Sequence, residues 1–162
     1  MDGIFRPGMR GYIVPLIAGI ILAASAFFPW VAVAGVSMPG WPDAEAMWVA
    51  ALGVLASALA LLSLITRKNS RHPLLIIGLA ALGIMFLSWR IMPTTAGERA
   101  STMAQANAIV NDLPIGAAPV AVVGIGIYLG LIASCALVGF GLTIVIKRAS
   151  AVYVVESADD DV

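Results

Sequence analysis

Four apolar runs, each without an acidic or basic residue in its middle, alternate with short polar segments along the chain. They cover residues 12–34, 44–66, 73–90 and 117–146, and a polar tail follows over 147–162. A helix needs about 20 apolar residues to cross a hydrocarbon core of roughly 30 Å, and each run meets that length, the third at the short end. The runs are continuous rather than alternating, and in lipid only helices or closed barrels satisfy their own backbone groups. The pattern predicts an all-α integral membrane protein: one transmembrane domain over residues 1–162, folded as a four-helix bundle.

Small residues predict how the helices meet, because close approach in lipid needs short side chains on one face. The fourth run carries Gly126, Gly130 and Ser134 at four-residue spacing, with Gly124, Gly139 and Gly141 nearby. The second carries Ala46, Ala50, Gly53, Ser57 and Ala60, the third Gly78 and Ala81, and the first Gly19 and Ala23. Such stripes serve packing within the bundle or contact with a neighbouring subunit, and their spacing does not separate the two. At 30 residues the fourth run would make a helix of about 45 Å, so it must tilt, bend or protrude. Pro119 suits the first turn of that helix.

Two connections remain. Residues 31–42 are rich in Gly and Pro and lead into Asp43 and Glu45, acidic residues suited to a helix start. The second connection, over 92–116, opens with Pro93 and holds Thr95-Ala96-Gly97-Glu98, a capping-box spacing. It predicts a separate, weakly amphipathic interfacial helix of about 15 residues, ended by Pro114.

Charge sets the orientation. Arg6, Arg10, Arg67, Lys68, Arg71, Lys147 and Arg148 flank one side of the runs, and only Arg90 and Arg99 flank the other. Basic residues are retained in the cytoplasm, so both termini are expected there. Trp30, Trp41, Trp48 and Trp89 fall near the opposite ends of the runs. They read as an interfacial belt or a docking surface for a partner, with Arg90 snorkelling to headgroups, stacking on a ring or pairing with a partner's carboxylate. Arg6 and Arg10 ahead of an apolar stretch and Ala32-Val33-Ala34 imitate a secretory signal; the segment is read as an uncleaved first span.

Composition agrees, since 61% hydrophobic residues at zero formal charge lies far outside the soluble range and offers nothing to a nucleic acid. Chemistry is thin. His72 is the single histidine, which excludes a haem held by two, and Cys135 is the single cysteine, which excludes a dithiol relay and a Cys-based zinc site. Cys135 reads as a small packing residue. Ser25, Ser57, Ser63, Ser88, Ser134 and Thr143 have no base beside them in the runs and read as hydroxyls bonded to backbone carbonyls. No catalytic residue, metal ligand or cofactor is expected.

The Phe28-Pro29-Trp30-Val31 exit from the first run, a Gly-rich turn and a second apolar span resemble small, mostly uncharacterised four-span membrane proteins of bacteria. The resemblance covers the first hairpin and transfers no functional residue. Claudin-like tetraspans also place tryptophans in the first outer loop, but this chain lacks their paired loop cysteines and long loop. These readings lead to a non-catalytic accessory or scaffold subunit of a larger bacterial inner-membrane complex, whose partners are other integral membrane subunits and lipid. A small oligomeric transporter or channel is the alternative.

Overall fold

The computed structural model describes residues 10–66, 71–112, 114 and 116–151. Arg6, Arg67, Lys68 and the tail beyond residue 151 lie outside them. A 3-10 turn at Arg10–Tyr12 leads into α1 (Ile13–Ser25); strands β1 (Pro29–Val33) and β2 (Val36–Pro39) follow, then α2 (Ala44–Thr66), α3 (Arg71–Val110), β3 (Ala121–Val123) and α4 (Ile125–Ala151). The chain is mostly helical, and α2, α3 and α4 are long and apolar enough to cross a membrane.

The expected first span of 12–34 is divided. Helix α1 has 13 residues and closes with two tight turns, Phe27 N–H to the Ala24 carbonyl at 3.0 Å and Phe28 N–H to the Ser25 carbonyl at 3.3 Å. Pro29 explains the stop, because a proline disfavours helical backbone at the residue before it. Beyond it, Trp30, Val31 and Val33 favour a pleated strand, and a two-residue turn at Ala34 (φ 49°) and Gly35 (φ 82°) returns the chain as β2. The approach to α2 then covers the end of α1: Trp41 N–H donates to the Ala26 carbonyl at 2.9 Å and Gly40 N–H to the Phe28 carbonyl at 3.2 Å. Asp43 opens α2, its carbonyl taking the Met47 N–H at 3.0 Å, as its acidic character led one to expect.

The other two departures have the same origin. The expected 117–146 span starts later, at Ile125, because its first residues form β3, which pairs antiparallel with β1 and makes it the centre of a β2-β1-β3 sheet. Pro119 sits in the extended approach to β3, not in a first helical turn. The fold is thus helical with a small sheet rather than all-α. Nor is there a separate interfacial helix, since α3 continues through Pro93 for 40 residues. Pro93 withdraws the N–H due to the Trp89 carbonyl, and beside it the hydroxyls of Thr94 and Thr95 donate to the Ile91 and Met92 carbonyls at 2.7–3.2 Å. The helix stops at Val110, where Asp112 takes a positive φ of 52° and Pro114 lies just beyond.

The helices form a closed square in which α1 packs on α2 and α4, and α3 packs on α4 and α2. Tyr12 meets Phe140 edge-on at 5.1 Å, which places the start of α1 beside the far part of α4. The sheet caps the opposite end. Between α1 and α2 the closest approach lies at Gly19 and Gly53, where a Cβ on Gly53 would collide with the Ala23 backbone N–H and come within 2.7 Å of the Gly19 carbonyl. Leu22, Val49, Leu74, Met85, Ile127 and Leu137 fill the interior. Most of the apolar side chains nevertheless face outward: only 28%, 33% and 39% of the apolar windows of α2, α3 and α4 are buried. A solvent-exposed surface of that kind is untenable in water and suited to lipid.

Replacing Gly53 by Ala is expected to lower stability by about 1–3 kcal/mol, because the added methyl separates two backbones that have no slack. Gly139→Ala, where a Cβ meets nothing within 4 Å, is expected to lose nothing and to gain up to about 1 kcal/mol of helix propensity. Thermal unfolding of both variants in the same detergent measures the difference; equal melting would refute the close crossing.

Candidate functional site at the sheet end of the bundle

Trp30 leaves the expected belt altogether. Its ring is 1% exposed, and its indole Nε1–H donates to the Ser25 carbonyl at 2.9 Å, so the polar handle of the residue is spent at the end of α1. Gly40 and Gly126 flank the ring so closely that a Cβ on either would come within 2.7 Å of it. Gly124 is pressed against the Pro29 carbonyl, and its N–H donates to the Trp30 carbonyl at 2.7 Å. The glycines at 124 and 126 therefore admit β1 and its tryptophan between α1 and α4.

The other belt residues are at the surface. Trp41 stacks on Phe27 with ring centres 5.5 Å apart, Trp89 leans on Phe86 at 5.9 Å, and Trp48 is 66% exposed. Arg90 is exposed beside Trp89. The expected helix-contact residues are used inside the chain: Gly53 and Ser57 against Gly19, Gly126 against Trp30, and Gly130 against Met85 and the Ser25 hydroxyl. Ser134 is buried, its hydroxyl donating to the Leu131 carbonyl at 2.9 Å. Ser25, Ser57, Ser63 and Thr143 bond to helix carbonyls in the same manner. Cys135 is the exception to the packing expectation, since it is exposed on α4. His72 is the second residue of α3 and exposed.

What the sequence did not signal is a groove between the sheet and the upper part of α3, about 290 Å³ in volume. One wall is Val31 and Val33 of β1 with Met38 and Pro39 of β2; the other is Met92, Thr95, Ala96, Arg99, Ala100 and Met103 of α3. Those α3 positions recur every three or four residues, so one helix face lines the groove. Its charged lining groups are Asp43, at the head of α2, and Arg99. The groove exists only because α3 continues past Pro93; a helix ending there would leave the sheet with nothing opposite. A periodicity count across Pro93 rather than up to it would have been the signal.

No protein-family model, no curated protein and no solved structure matches this chain. Its chemistry must be read from its own side chains. Among the described residues no three His, Cys, Asp or Glu side chains gather into a metal-binding group. The sheet end instead offers, among the described residues, shape: a groove lined mainly by apolar side chains with one acid and one base, an outer edge on β2, and the exposed tip of α3. Ile109 and Val110 at that tip are 74% and 81% exposed.

Trp30→Phe keeps an aromatic ring but removes the indole donor, and is expected to cost about 1–3 kcal/mol, from the lost hydrogen bond and the smaller ring in a fully buried site. Trp48→Phe, at an exposed position, is expected to stay within about 0.5 kcal/mol of the parent. Denaturant unfolding in detergent, followed by circular dichroism, distinguishes the two; equal stabilities would mean that Trp30 does not pin the sheet.

Proposed function

We propose that this chain is a non-catalytic, multi-pass subunit of a bacterial inner-membrane complex, acting by contact through the sheet end of its bundle. In this reading all four helices cross the bilayer, α1 with the help of the 3-10 turn before it, and both termini face the cytoplasm. Seven of the nine basic residues flank the apolar runs in the sequence on the side away from Trp30, Trp41 and Trp89, which supports that orientation.

The tip of α3 carries the proposal. Helix α3 runs 20 residues beyond Arg90, about 30 Å at the helical rise, which carries Ile109 and Val110 well past the depth where Trp89 and Arg90 anchor. Apolar side chains so exposed outside the hydrocarbon favour a polypeptide partner. The small-residue stripes, in contrast, are engaged within the chain, which leaves them unavailable for building an oligomeric pore and favours the accessory subunit over the transporter.

Extraction in mild detergent followed by mass spectrometry is expected to recover a partner in stoichiometric amount, and the double variant Ile109→Asp, Val110→Asp to lose it without a change in melting temperature. A lone monomer from the parent chain would overturn the reading. In a Cys135→Ser background, Val110→Cys is expected to react with a membrane-impermeant maleimide added to intact spheroplasts; labelling only after lysis would reverse the orientation.

A further inference from the structure

Below the groove, a second hollow of about 240 Å³ opens sideways between the first turn of α2 and the middle of α3. Ile84, Leu87 and Ile91 line it, with Ser88 at its side and Glu45 among its walls; Met92 lines both hollows, so they adjoin at that side chain. Leu87 and Ile91 are exposed on the outer surface of the helix, which makes the lower hollow a cleft open to lipid.

Ser88 stands apart from the other buried serines. It is 4% exposed, yet no hydrogen bond engages its hydroxyl among the described residues, whereas Ser25, Ser63 and Ser134 each donate to a backbone carbonyl at 2.7–2.9 Å. A buried polar group without a partner is costly and points to an acceptor supplied from outside the chain. Ser88 also precedes Trp89 and Arg90, so that acceptor lies at interfacial depth.

The charges around the two hollows indicate what the acceptor belongs to. Asp43 and Arg99 line the groove, and Glu45 lines the hollow below it. The Cα of Arg99 is about 16 Å up the helix axis from that of Ser88, and side chains on a helix lean toward its N-terminus, which is the direction of the cleft. Two carboxylates and one guanidinium lining adjoining hollows suit a group that carries a cation and an anion together. They disfavour a purely anionic headgroup.

We infer that the α2–α3 cleft binds a zwitterionic phospholipid of the phosphatidylethanolamine type. An acyl chain lies along Ile84 and Leu87, an ester carbonyl accepts from the Ser88 hydroxyl, the phosphate faces Arg99, and the ammonium faces Asp43 and Glu45. The site is distinct from the α3 tip and does not depend on any protein partner docking there.

The test is native mass spectrometry of the full chain in detergent, titrated with phosphatidylethanolamine, phosphatidylglycerol and, as a headgroup without chains, glycerophosphoethanolamine. Phosphatidylethanolamine is expected to be retained about fivefold more than phosphatidylglycerol, the soluble headgroup not to be retained, and Arg99→Gln to reduce retention about fivefold, as for one partly exposed charge pair. Ser88→Ala is expected to reduce retention of both lipids by a similar factor, as for one hydrogen bond. The double variant Asp43→Asn, Glu45→Gln is expected to erase the preference between them. Retention of phosphatidylglycerol equal to or above that of phosphatidylethanolamine would overturn the inference. So would retention of the soluble headgroup, no retention of lipid, or unchanged retention in Ser88→Ala and Arg99→Gln variants that melt like the parent.

Discussion

The bond from the Trp30 indole to the Ser25 carbonyl is the point on which bundle and sheet both depend. A helix leaves its last carbonyls without intrahelical partners, and at the end of α1 those groups are buried. The indole and the Phe28 N–H share the Ser25 carbonyl, and the N–H groups of Phe27 and Trp41 serve the Ala24 and Ala26 carbonyls. To reach that position the ring must lie where Gly40 and Gly126 leave room for it, which brings the start of α2 and the start of α4 against the same residue. Strand β1 follows the ring inward, and β2 and β3 add to its two edges. One aromatic side chain thus ties the end of α1, which Pro29 sets, to the approach to α2, the start of α4 and the sheet.

A second constraint acts below the sheet. Helices in lipid gain little from burying leucine against leucine, so contact goes to small residues that bring backbones close together. Gly19 against Gly53 and Ser57, and Gly130 against Met85, follow that rule, while the large side chains of α2, α3 and α4 point mostly outward. Serine hydroxyls in this region return to their own helix carbonyls, which removes the cost of burying them. Ser88 is the departure from this economy, and it lies at the contact of α2 with α3, which leaves a cleft open to the side.

The capacity for interaction is concentrated at the sheet end. The groove and the tip of α3 derive from α3 being longer than its neighbours, and the cleft adjoins the groove from below. Nothing in the described residues of the bundle interior offers a comparable assembly of charge and shape. The two proposals use different parts of this region, a polypeptide at the tip and a phospholipid in the cleft.

The sequence by itself determined what depends on local composition. Continuous apolar runs specify helices for a low-dielectric surrounding, Asp43 and Glu45 mark the start of α2, and Gly53, Ser57, Gly126, Gly130 and Ser134 mark contact faces. What only the tertiary structure decided are the ends and the exceptions. Residues 29–33 and 121–123 are as apolar as a helix in lipid, and they became strands because each supplied the other's backbone bonds. Pro93 is a stop signal by any local rule, and the helix continues because the turns beyond it pack on β1 and β3. Trp30 shares its composition and chain position with interfacial tryptophans. Its place in the interior follows from the glycines at 40 and 126, which come into contact with it only when separate parts of the chain fold together.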